Sequence, residues 1–148
     1  MDQAISQARR ATEIDATDIS AQLLLAELSI ATEDFESALG AYEQVLPLVT
    51  GKSQEVPILQ MMGQIHGKLG NHGACLENNQ KALSAAQKSG SSGITVADCH
   101  NLVSEALYQA NPLSVDVLHH LAEALRLYNE NDPNSMRTCE AHQRLGWR

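Results

Sequence analysis

The sequence predicts an all-α protein built of antiparallel helix pairs that follow one another along the chain. Three observations predict it. First, residues 21–47 (AQLLLAELSIATEDFESALGAYEQVLP) read as two amphipathic helices broken at Thr32-Glu33-Asp34. Leu24, Leu25, Leu28 and Ala31 recur at helical spacing before the break; Phe35, Ala38, Leu39, Tyr42, Val45 and Leu46 do so after it. So short a break obliges the two helices to run antiparallel and pack together. Second, 43% of the chain is hydrophobic but only 3% is aromatic, so Ala and Leu carry most of the packing. That suits closely spaced helices, and there is no alternating run of useful length to build a sheet. Third, small residues recur at a drifting period: Ala4 to Ala38 is 34 positions, Ala38 to Cys75 is 37, and Cys75 to Val115 is 40.

The elements follow in order. Residues 2–14 form an amphipathic helix with Ala4, Ile5, Ala8, Ala11 and Ile14 on one side, and Asp15–Asp18 supplies a break with capping residues. Helices over 18–31 and 34–49 come next, the second closing near Pro47 and Gly51. A fourth helix, 55–69, carries Ile58, Leu59, Met62, Ile65 and Leu69, with Pro57 in its first turn and Gly70-Asn71 as its stop. The fifth, 72–88, holds Cys75, Leu76, Ala82, Leu83 and Ala86, and ends at the surface loop Ser89–Gly93, the most flexible stretch by composition. The sixth, 94–110, offers Val96, Leu102, Val103, Ala106 and Leu107. Asn111-Pro112 reads as the start of a seventh helix that runs to Tyr128 with Val115, Leu118, Ala122 and Leu125 inward. Asp132-Pro133 repeats that signal for an eighth, containing Met136, Ala141, Leu145 and Trp147.

These residues resemble the tetratricopeptide repeat (TPR). Its pattern has a Leu-Gly-like pair and a bulky residue in one helix, a Gly-Asp/Asn-aromatic turn, then small, aromatic and Ala positions in the next. Leu25-Ala26, Asp34-Phe35, Ala38, Tyr42 and Val45 match it in residues 18–49. Met62-Gly63, His66, Gly70-Asn71-His72, Cys75 and Ala82 match it in 55–88. Leu102-Val103, Ala106, Ala110-Asn111, Val115, His119 and Ala122 match it more loosely in 94–128. Ala4, Ala8, Ala11 and Ile14 fit a second-half helix over 2–14, and Leu145-Gly146 fits the opening pair of a further unit over 133–147. The resemblance implies one repeat domain across 1–148, of about eight helices coiled as a right-handed α-solenoid. It also implies that the ends, Trp147 included, are covered by further repeats or by another subunit.

Charge and cysteine usage bound the function. The net charge is −8, and residues 1–45 hold nine acids against two bases. A nucleic-acid partner draws on clustered Lys and Arg, so none is expected. Three cysteines without a CxxC, and no signal-peptide pattern at the N-terminus, point to a reducing, cytoplasmic compartment. No apolar run reaches the length of a membrane span.

Catalytic motifs are lacking: no Gly-rich phosphate loop, HExxH or GxSxG. His66 and His119 fall at bulky repeat positions, where packing is the expected role. Cys99-His100, His119-His120 and Cys139-x-x-His142 would bind zinc, or activate a thiol, only if three helices converged them. The expectation is therefore a protein with no cofactor, no metal and no catalytic residue.

The family resemblance implies instead a partner-binding groove lined by the first helix of each unit. Carried over, its positions are Leu23, Glu27 and Ile30, then Gln60, Gln64 and Lys68, then His100 and Ser104, with Leu107 beside them. It implies a non-catalytic scaffold or adaptor, a segment of a larger TPR subunit in a multiprotein assembly. The alternative is a free-standing peptide-binding module of co-chaperone or trafficking type, and a metal- or thiol-dependent enzyme is a distant third.

Overall fold

The structure is a computed structural model that describes residues 2–134 and 136–144, with backbone alone at 138, 141 and 142. Among these residues it is all helix: α1 (Asp2–Ile14), α2 (Ile19–Ala31), α3 (Phe35–Val49), α4 (Glu55–Lys68), α5 (His72–Lys88), α6 (Gly93–Ala110), α7 (Val115–Asn131) and α8 (Met136–Arg144). The expected Leu145-Gly146 pair and Trp147 lie outside the described residues. The chain forms two compact units, 1–58 and 59–148, whose boundary falls inside α4.

In the first unit α1 packs on α2 and α2 on α3. The α2–α3 turn shows why the chain reverses there. Asp34 N–H reaches back to the Ser29 carbonyl at 2.8 Å and Glu33 N–H to Ile30, closing the end of α2. Asp34 then caps α3, its carboxylate accepting from Ser37 N–H at 3.2 Å. The closure forces Glu33 to a φ of 59°, in the left-handed region that side chains avoid. At the end of α4 the same closure recurs, with Asn71 N–H on the His66 carbonyl at 2.9 Å, and there the left-handed residue is Gly70. Asn71 caps α5 through Ala74 N–H as Asp34 caps α3. One turn design is thus used twice, 37 positions apart.

The buried face of α2 is not the one its leucines suggest. Ala21, Gln22, Leu25, Ala26 and Ser29 are buried, while Leu24 is 49% exposed and Ala31 is exposed. Small residues at 26 and 29 let α3 approach closely, and the Gln22 amide is satisfied by the Ala16 carbonyl at 3.2 Å. Opposite it, Ala38, Ala41, Tyr42, Val45 and Val49 are buried on α3. That helix runs on past Pro47, which is exposed, as is Glu43, whose carbonyl the proline leaves without its helical donor.

In the second unit α5 packs on α6, α6 on α7 and α7 on α8. Gly63 of α4 lies directly against Asn79 of α5: a Cβ there would stand 2.5 Å from Asn79 Oδ1. The Asn79 amide donates weakly to Cys75 Sγ (3.6 Å) and to the Leu102 carbonyl of α6 (3.5 Å), so this side chain, 2% exposed, touches three helices. Ser89–Gly93 is a capped turn: Ser91 N–H closes α5 on the Ala86 carbonyl, and Ser92 caps α6 through Thr95 N–H. Ala97, Ala124, Leu125 and Tyr128 make the apolar contact between α6 and α7.

Helices α7 and α8 begin later than their proline signals suggest. Asn111 closes α6, its N–H on the Leu107 carbonyl at 2.7 Å, and its side chain holds Leu113 N–H in a turn, so the cap of α7 is Ser114. α8 starts at Met136, not at Pro133. The inward face of α7 is Val117, Leu121, Ala124, Leu125 and Tyr128. Of the expected set only Leu125 is on it; Val115 is 78% exposed, Leu118 58%, and Ala122 is exposed. His119, expected to pack, is exposed as well.

Candidate functional site: a groove in the second unit

The register of the buried residues explains which side chains face solvent along α4 and α6. Leu59, Met62, Gly63 and Ile65 are buried on α4; His100, Val103, Ser104 and Ala106 are buried on α6. Each pair is 41 positions apart, one more than the 40 read from the sequence. One residue turns an α-helix by about 100°. The groove positions Gln60, Gln64 and Lys68 therefore correspond to Asn101, Glu105 and Gln109, not to His100 and Ser104. A slip of two positions in α7 likewise puts Val117 where Val115 was expected.

That stripe opens onto a groove of about 650 Å³. Gln64, Gly67 and Lys68 of α4 line it, with His72, Cys75 and Asn79 of α5. Leu102, Glu105, Ala106, Tyr108 and Gln109 of α6 line it too, as does Arg144 of α8. Arg144 is held there by Glu105 at 3.2 Å and by a hydrogen bond to the Asn101 side chain. A second link fixes the start of α8: Arg137 lies 3.4 Å from Asp98, which also accepts from Tyr128 Oη at 2.6 Å. Burial and that carboxylate push the Tyr128 hydroxyl well above the ordinary phenol value, so it is a fixed donor. Polar contacts thus dock α8 beside the groove.

Of the eight expected groove residues, Gln64 and Lys68 are brought together here. Gln60 is half-buried and donates to Cys99 Sγ at 3.3 Å. His100 is 7% exposed and Ser104 fully buried, its hydroxyl on the Asn101 carbonyl at 2.7 Å; neither lines the groove. In the first unit Leu23, Glu27 and Ile30 share one stripe of α2, Glu27 exposed and the other two half-buried. Sequence reasoning missed Glu105, Gln109, Tyr108 and Arg144. The signal available was the polar run Asn101–Glu105–Gln109, spaced by four along one helix.

Among the described residues the cysteines and histidines do not converge on one site. Cys99 is fully buried and faces Gln60, and burial pushes its thiol up to about 11. Cys75 is also raised, by burial first, although the Asn79 amide works the other way. A nucleophilic cysteine needs the opposite shift. Cys139 is exposed on α8, and the His142 side chain lies outside the described residues. His100 and His120 do meet, Nδ1 to Nδ1 at 2.9 Å. Among the described residues no three metal-ligating side chains come together, and no helix is long and apolar enough to cross a membrane.

Helix pairs closed by one repeated turn design, with a mixed polar and apolar groove on the first-helix side, define a TPR-like helical-repeat fold. Solved structures bear this out. BtubC (BKLC) from P. vanneervenii superposes with a TM-score of 0.75 at 18% identity, over 98% of this chain and 61% of that one. Two crystal structures of MamA superpose at TM-scores of 0.74 and 0.72, with 17% and 16% identity, over 89% and 91% of this chain and 71% and 68% of theirs. The chain thus spans under two thirds of BtubC's length. No protein-family model and no curated protein matches the sequence.

Proposed function

We propose that this chain is a TPR-family interaction scaffold or adaptor, a non-catalytic segment of a multiprotein assembly that holds a protein partner in the α4–α6–α8 groove. The observation that carries the proposal is the groove itself: 650 Å³ flanked by Gln64, Lys68, Glu105, Gln109 and Arg144 around Leu102 and Tyr108. Amides and charges of both signs beside an aliphatic and an aromatic side chain suit an extended or helical protein segment, whose backbone and side chains offer the same mixture. Leu23, Glu27 and Ile30, the exposed to half-buried stripe of α2 in the first unit, are assigned to partner binding as well. Protonated thiols at Cys75 and Cys99 give no support to a thiol enzyme, and three unpaired cysteines fit a reducing cytoplasm. Recognition of a short free peptide is the second reading, favoured by the same groove.

Photo-crosslinking in cells tests the proposal. A photoreactive residue at Gln64 or Gln109 is expected to capture one defined protein, and one at Glu130, on the exposed side of α7, is not. Glu27 is expected to capture the same protein as Gln64. Equal capture from Glu130, or capture of different proteins at each groove position, refutes the groove as the binding face. If the captured contact is reproduced by an isolated peptide of the partner, the second reading holds.

A further inference from the structure

The α6–α7 pair carries a contact that the groove does not use. His100 of α6 and His120 of α7 bring their Nδ1 atoms to 2.9 Å, with ring centroids 5.1 Å apart, and the His119 ring stands edge-on to His120 at 5.5 Å. His100 is buried and His120 half-buried. Two like nitrogens hydrogen-bond only while one of them holds a proton and the other does not. In the neutral pair one ring is the Nδ1–H tautomer and donates; the other keeps its proton on Nε2 and accepts. A first added proton can enter at Nε2 of the donor ring with the bond intact. A second must take the acceptor's Nδ1, which sets two N–H groups head to head and abolishes the bond.

The surroundings oppose that second proton without forbidding it. Burial is the largest influence on both rings and holds each below the ordinary imidazole value. His120, His119 and Arg126 act on His100 in the same direction, and Glu123 acts against them. On His120 the further influences are His119, and Asp116 against it. All of these come from α7. Neither α5, packed on α6, nor α8, packed on α7, puts a described charged group among them.

We propose that the His100–His120 pair is an acid-sensitive latch between α6 and α7, closed while the two rings share a proton and released when both are charged. It stands independently of what the groove binds. Because both rings are harder to protonate in the folded chain, the unfolded chain binds more protons below the ordinary imidazole range. Stability is full above that range and is lost as the pH falls through and below it. The carboxylates of Asp34 and Glu123 are held below their usual range by hydrogen bonds from Ser37 and Arg126, so the stability they contribute is lost only at lower pH.

Urea unfolding between about pH 8 and about pH 5, for the wild type and for the double variant His100→Asn/His120→Asn, tests the latch. Asparagine can place an amide near each Nδ1 and does not titrate. The wild-type unfolding constant is expected to rise with acid by up to tenfold per pH unit for each histidine. The double variant is expected to lose that rise. An unchanged slope in a folded double variant overturns the latch. Should the variant not fold, histidine C–H titration of the wild type by NMR decides. Two low, coupled titrations, with α6 and α7 amide shifts moving at the second, uphold it. Two ordinary, independent ones overturn it.

Discussion

Replacing Gly63 by alanine isolates the contact on which α4 and α5 close. The new Cβ would lie 2.5 Å from Asn79 Oδ1 and 3.0 Å from its Cγ, both far inside ordinary contact. Asn79 has little room to yield, being 2% exposed and engaged with Cys75 and the Leu102 carbonyl. Overpacking of this kind costs about 1–3 kcal/mol. Alanine in place of a mid-helix glycine returns about 1 kcal/mol of helix propensity. The net expectation is a loss of about 1 kcal/mol. In an Asn79→Ala background the obstruction is gone, and the same Gly63→Ala change should stabilise by about 1 kcal/mol. The sign reverses between backgrounds, giving a coupling of about 2 kcal/mol, well above the additivity error of distant sites. Urea denaturation of the four proteins, with slopes compared to confirm two-state unfolding, measures it. If Gly63→Ala stabilises both backgrounds alike, Gly63 of α4 does not lie against Asn79 of α5.

Two further outcomes follow from the turn geometry and the thiols. Glu33→Gly relieves a left-handed residue and should raise stability by about 0.5–1 kcal/mol after the entropy of the added glycine, while Gly70→Ala at the equivalent place should lower it by about 1 kcal/mol; opposite responses would break the equivalence of the two turns. In native protein at mildly alkaline pH, exposed Cys139 should be alkylated first and buried Cys99, its thiol raised to about 11, only on unfolding, as read by mass spectrometry of trapped peptides.

Helix number, order and most boundaries were legible in the sequence, because capping and apolar periodicity are local. The range 2–14 and the range 72–88 match the structure residue for residue, and the Thr32–Asp34 and Gly70-Asn71 breaks are the turns observed. The TPR-like fold followed from these. What was not legible was rotation. In α2 the buried stripe includes Gln22 and Ser29, polar residues that local hydropathy assigns to water. In α7 two apolar faces compete, and Asn111-Pro112 pointed to a helix start that the backbone uses as a turn.

The candidate site suffered most from that ambiguity. Gln64 and Lys68 reached the groove because their helix was phased correctly, whereas His100 and Ser104 did not, because the interval from α4 to α6 is 41 residues, not 40. By itself the sequence determined a chain of helices closed by capped turns, since each cap and each glycine acts on its own neighbours. Only the tertiary structure decided which face of each helix is inside. That choice is made by close packing between helices, where a single residue of register turns a side chain by about 100° and exchanges core for groove.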